Sequence, residues 1–344
     1  MMMLLRLLSS LKLTLLGMVM LGLGAVLSYG NPMTVSIWVL VVPMAILAIN
    51  LIATIVTNRL INGQPGLLLF HICLLTIVIL AGVGRLIHLD AHVELAQGQV
   101  FTPDLMMEVR SGPMHMGDID QVAFIQGHYT VDYLPRLRRR DTHSEVLLPG
   151  PDGRAIPQDV GDDRPLILQY YRFYTTFNKG FSPILMWIPV QGEPITGRIN
   201  MPAYPLFEYK QDNQWTPPGT NEVIKFWLQV DAGLTEEKAW VLDGRNATGK
   251  LVVTVGEQRV ELIKGEELQL AHGRLRYIDL STWMGYRIFY DPTIHWMFWA
   301  SFIGVLGLMQ YFWTKMKRKS WLGSDENAAL EGDSAVATDS EERA

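Results

Sequence analysis

Hydrophobic positions fall into two regimes along the chain. Four stretches are almost continuously apolar: Leu13–Tyr29, Val35–Thr57, Gly66–Ile87 and Ile294–Thr314. About 20 apolar residues span a bilayer core as a helix, so each predicts a transmembrane helix. Between the third and fourth the pattern shortens. Segments rich in Val, Ile, Tyr, Phe and Trp alternate with Gly, Pro, Asn and Asp turns, which predicts strands. The candidates are 120–133, 166–177, 184–190, 222–230, 238–242, 250–262, 274–280 and 287–290. Residues 149–165, PGPDGRAIPQDVGDDRP, predict a loop.

The expected fold is therefore a membrane protein: a four-span α-helical bundle with a β-rich extracytoplasmic domain inserted between spans three and four. Its parts are three helices in 1–87, the β-rich domain in 88–293, the last helix in 294–314, and a cytoplasmic segment in 315–344. That segment opens on the basic run KMKRK and ends in an acidic tail without aromatics, which predicts disorder.

Charge supplies the orientation. Arg6 and Lys12 precede the first span, Arg59 follows the second, and KMKRK follows the fourth. Lys and Arg accumulate on the cytoplasmic side. Both termini are then cytoplasmic and the large domain lies outside. A net charge of −5 shows no overall basic signature for nucleic acid. The single cysteine, Cys73, excludes an intrachain disulfide.

Candidate chemistry begins inside the third span. LLLFHICLLTIVIL, residues 67–80, places His71 in an otherwise apolar run. An ionisable side chain there points to function. The alternative is an imidazole that only hydrogen-bonds a neighbouring helix. His88 follows His71 by about 25 Å along a continuous helix and about 100° around it. That offset argues against two haem levels on one helix face. If the helix continues outward, His88 and His92 share a face and form a candidate metal or haem pair. The alternative is a wetted helix end carrying Asp90 and Glu94.

Met114-His115-Met116 offers soft ligands suited to copper or haem iron, but adjacent residues in an extended segment point apart. Arg136, Arg138, Arg139 and Arg140 suit carboxylates or lipid headgroups, or a solvated loop. His295 opens the fourth span as an interfacial anchor or a ligand. No G-x-S-x-G, H-E-x-x-H, phosphate loop or C-x-x-C-H occurs.

Four segments carry a family resemblance: LSSLKLTLL at 8–16; the Pro43-containing second span ending AINLIATIVTNR; FHICLLTIVILAGVG at 70–84; and GYRIFYDPTIHWMFWASFIGVLGLMQYF at 285–312. In order and topology the chain resembles the ResB (CcsB) family of system II cytochrome c biogenesis proteins. The resemblance covers the membrane portion, about a third of the chain.

The resemblance implies a subunit of a haem exporter and cytochrome c haem lyase, not an autonomous enzyme. Its partners would be a CcsA-like membrane protein, apocytochrome c and the lipid bilayer. Its cofactor would be transient, non-covalent haem b, with His71 as one axial ligand to the iron and the second from the partner. Two other classes stay open: a non-haem scaffold for an extracytoplasmic redox complex, and an integral b-type haem subunit.

Overall fold

The computed structural model describes residues 2–231 and 236–341, with side chains for 5–231 and 236–317. It divides into a helical unit and a β unit. The β unit comprises His88–Ser111 and His115–Tyr290.

The helical unit holds α1 (Met2–Leu8), α2 (Leu11–Gly30), α3 (Trp38–Thr57), α4 (Arg59–Asn62), α5 (Pro65–Ile87) and α6 (Ile294–Glu341). Helices α2, α3 and α5 are each long and apolar enough to cross a membrane. In hydrocarbon every backbone N–H and C=O must be satisfied within the segment, which drives such runs into helix. Ser10 caps α2 by accepting from the Lys12 N–H at 3.3 Å. Asn58 caps α4 by accepting from the Leu60 N–H at 3.0 Å.

Small residues set the helix contacts. Gly17 of α2 faces Leu47 of α3, and Gly24 faces the Val39 carbonyl. These helices therefore run antiparallel. Gly66 of α5 lies so close to α6 that a Cβ would sit 2.5 Å from the Gly307 carbonyl oxygen. Only glycine permits that approach. Further along the pair, Gly304 faces Cys73.

Asn50, buried in α3, ties the helices together by hydrogen bonds. It donates to the Leu8 carbonyl at 2.6 Å and the Ser10 carbonyl at 3.1 Å, and accepts from the Thr14 hydroxyl at 2.7 Å. Helix α6 continues to Glu341, where composition predicts a disordered tail; the side chains after Lys317 lie outside the described residues.

The β unit contains β1 (Leu89–Ala96), β2 (Met107–Ser111), β3 (Ile125–Leu134), β4 (Arg138–Pro149), β5 (Ala155–Gly161), β6 (Leu166–Leu168), β7 (Tyr171–Pro189) and β8 (Ile195–Arg198). It continues with β9 (Asp212–Trp215), β10 (Ile224–Val230), β11 (Trp240–Asp243), β12 (Gly249–Val255), β13 (Gln258–Leu262), β14 (Glu267–Leu270) and β15 (Gly273–Tyr290). Seven strands form one sheet in the order β2-β1-β15-β7-β6, with β14 beside β15 and β8 beside β7. Two four-stranded sheets follow the orders β13-β12-β10-β9 and β11-β3-β4-β5.

Among the described residues the pairings between these strands are antiparallel, so one face of each strand turns inward. Ala91, Val93 and Leu95 of β1 and Met284, Tyr286 and Ile288 of β15 enter a core with Phe101, Phe124 and Phe173. A closed polar triad sits within it. Tyr286 donates to Gln126 Oε1 at 2.7 Å, Gln126 Nε2 donates to Ser144 Oγ at 3.0 Å, and Ser144 lies 2.7 Å from the Tyr286 oxygen. Each group has a partner, so burial costs little.

Several predicted boundaries move. The segments at 274–280 and 287–290 are one strand, β15: its pairing with β7 runs on through Ser281–Met284, which is buried on both faces and so lacks the alternation that marks a strand in sequence. The arginine run belongs to the β3–β4 hairpin, and the predicted loop at 149–165 contains β5. Strand β4 supplies the partner that orders β5, a pairing invisible in a polar local sequence.

Candidate functional site

His71 sits on α5, half-buried, one turn beyond Leu67. Its Nδ1 lies 2.7 Å from the Leu67 carbonyl oxygen. A carbonyl only accepts, so Nδ1 carries the proton. The neutral ring then presents Nε2 as the lone-pair nitrogen. The Phe70 ring meets the imidazole edge-on, with centroids 5.5 Å apart. The arrangement suits one bond to a metal or one accepted hydrogen bond: it fixes the tautomer and restrains the ring, as outer-shell contacts to ligating histidines do.

His88 and His92 do not join a helical face. Helix α5 ends at Ile87 and β1 begins at Leu89. Four residues on a strand span about 13 Å, against about 6 Å on a helix. The His88/His92 pair that a continued helix would have formed is therefore not made. His88 is buried, and His92 stands opposite Arg287 in the β1–β15 register. His92 Nδ1 lies 3.4 Å from Glu108 Oε2, close enough for an ion pair but without hydrogen-bond geometry. Among the described residues, no group of three or more His, Cys, Asp or Glu is arranged to hold a metal ion.

The residue between these histidines has the stronger electrostatic role. Asp90 is buried and takes the Arg287 guanidinium on both oxygens, at 2.9 and 2.7 Å. Arg110 binds Oδ2 from β2 at 2.5 Å. Burial pushes the Asp90 carboxyl up, but the two guanidiniums outweigh it and hold the carboxyl below its ordinary range. Arg287 lies 197 residues away, so no local pattern announces the pair.

The remaining candidates separate. His115 Nε2 lies 2.9 Å from the Tyr171 hydroxyl, and its ring stands edge-on to Tyr290 at 4.8 Å. Met114 and Met116 are exposed. Arg139 turns inward, donating to the Thr176 carbonyl at 2.9 Å, pairing with Asp162 at 3.2 Å and covering Phe177 at 4.0 Å. Arg136, Arg138 and Arg140 stay exposed, and His295 is exposed at the start of α6.

Lys179, on β7, carried no signal in the sequence. It is 1% exposed, with its ammonium 5.9 Å from the Tyr133 ring centre. Burial first, then Arg139, pushes its pKa down to about 8, with Asp162 opposing.

No family model matches the chain, and no curated protein matches it in sequence.

Proposed function

We propose that this chain is a ResB-like component of a haem export and cytochrome c haem-attachment complex. It holds haem b in the membrane with a CcsA-like partner and presents it to apocytochrome c outside. His71 carries this reading: its Nδ1 bond to the Leu67 carbonyl leaves Nε2 free to ligate within an apolar helix. Bound haem would supply the iron and the ring that is joined to the apocytochrome cysteines. The chain's own part is to hold and orient. Only the uncharged ring has a lone pair to give to iron. The second axial ligand is assigned to the partner.

A fourth span belongs to the same proposal. The N-terminal part of α6 packs on α5 through Gly66, Gly304 and Gly307. Its other faces expose Phe298, Phe302, Val305 and Met309, as a lipid-facing helix would. With Arg6, Lys12, Arg59 and the basic run after residue 314 on one side, both termini are cytoplasmic and the β unit is extracytoplasmic, in a bacterial inner membrane.

The test is a reduced-minus-oxidised visible spectrum of the chain purified with a CcsA-like partner, wild type beside His71→Ala. The proposal expects a b-type signal that falls in the variant. An equal signal in both places the iron on the partner alone and makes this chain a scaffold. His71→Asn, which can still hydrogen-bond, should also fail to mature c-type cytochromes.

A further inference from the structure

A cleft of about 820 Å³ opens in the β unit between strands β8 and β9. Both are edge strands: among the described residues β8 pairs only with β7, and β9 only with β10. Consecutive residues 196–200 line one side of the cleft and 213–215 the other.

The register identifies which backbone groups point into it. The Ile199 and Met201 N–H groups donate back toward β7, to the Pro183 and Phe181 carbonyls. Antiparallel strands alternate, so Thr196, Arg198 and Asn200 turn their N–H and C=O groups to the free edge. On the other side the Leu228 N–H donates to the Gln211 carbonyl, so Gln214 faces outward from β9.

One side chain already bridges the two edges. Asn213 Nδ2 donates to the Asn200 carbonyl at 2.8 Å, and Asn213 Oδ1 accepts from the Gln214 N–H at 2.8 Å. A carboxamide with one donor and one acceptor thus stands where a peptide unit of an intervening strand would stand. Beyond it, along Arg198 and Thr196, the edge is open. The Arg198 guanidinium is exposed and has no ion-pair or hydrogen-bond partner among the described residues. The nearby cations differ: Lys264 is paired with Asp279 at 2.8 Å and Arg245 with Asp243 at 3.0 Å. Leu105, Met107, Ile184 and Trp215 supply apolar wall.

We infer that this cleft binds an extended polypeptide segment by strand addition to the β8 edge, with an acidic side chain set against Arg198. The occupant's backbone accepts from the Thr196 and Arg198 N–H groups and donates to their carbonyls. Its alternate side chains meet the apolar wall. Such a site favours an unfolded segment, whose backbone groups are free along its length, over a folded surface, most of whose strands are already paired. Under the function proposed above, the natural occupant is apocytochrome c before haem attachment.

The probe is a seven-residue peptide of alternating threonine and valine with a central glutamate, at millimolar concentration against the full chain in detergent. Hydrogen exchange of residues 196–200 is the readout. The expected result is slowed exchange at Thr196 and Arg198. The same peptide N-methylated on alternate amides should lose that protection. Arg198→Gln should weaken binding about threefold, as loss of an exposed ion pair would. Absence of protection, or equal protection by the N-methylated peptide, overturns the inference. His71→Ala should bind the peptide as wild type does, so a failure of the haem reading and a failure of this one are distinguishable.

Discussion

Replacing Lys179 with methionine should stabilise the β unit. The ammonium is buried on β7, and its pKa falls from the ordinary 10.5 to about 8. At about 1.4 kcal/mol per pH unit, holding the charge in the folded state at pH 7 costs about 3 kcal/mol relative to the unfolded chain. The Tyr133 face 5.9 Å away offsets only part of the desolvation. Methionine keeps the length of the stem and removes the charge.

The sign with pH follows from proton binding. Between pH 8 and 10.5 the unfolded chain binds more protons at this site, so wild-type stability rises with pH. The clean window ends near pH 9.5. Above it Tyr129, Tyr133, Tyr171, Tyr204, Tyr277 and Tyr286 oppose the trend, since burial raises all six and only the unfolded chain ionises them. Within the window wild type should gain about 2 kcal/mol while Lys179→Met stays flat. Urea unfolding of the full chain in detergent, read by pulse proteolysis of the β unit, measures both. A variant no more stable than wild type at pH 7, with wild type equally flat between pH 8 and 9.5, would refute desolvation of Lys179.

Asp90→Asn should destabilise the β unit by about 2–3 kcal/mol in the same assay, because it leaves Arg110 and Arg287 without their buried carboxylate. Wild type should lose that contribution as pH falls below about 4, since the folded carboxyl titrates below its unfolded value. Asn50→Leu removes the donor that ties the Leu8 and Ser10 carbonyls to α3 and the acceptor of the Thr14 hydroxyl, and should lower helical-unit stability by about 1–2 kcal/mol in mixed-micelle SDS titration. Gly304→Cys should oxidise to a disulfide with Cys73, seen as loss of maleimide labelling at both thiols; persistent labelling would contradict the α5–α6 packing.

The sequence by itself determined the helices α2, α3 and α5 and the β character of the middle of the chain. The reason is local. An apolar run of about 20 residues has one way to satisfy its backbone in hydrocarbon, and β-branched and aromatic segments between turn residues favour extension. His71 was legible for the same reason, as a polar exception in such a run.

Tertiary structure decided the rest. Whether the chain past Ile87 stayed helical depended on β15, nearly two hundred residues later, offering β1 an edge. Asp90 became an ion-pair centre, and Lys179 a buried cation, only through strand register. The cleft beside Arg198 exists because β8 and β9, in different sheets, leave their outer edges facing it. Strand pairing joins residues far apart in sequence, and a one-residue change of register exchanges the two faces. No window of sequence around any of these residues contains the partner that defines it.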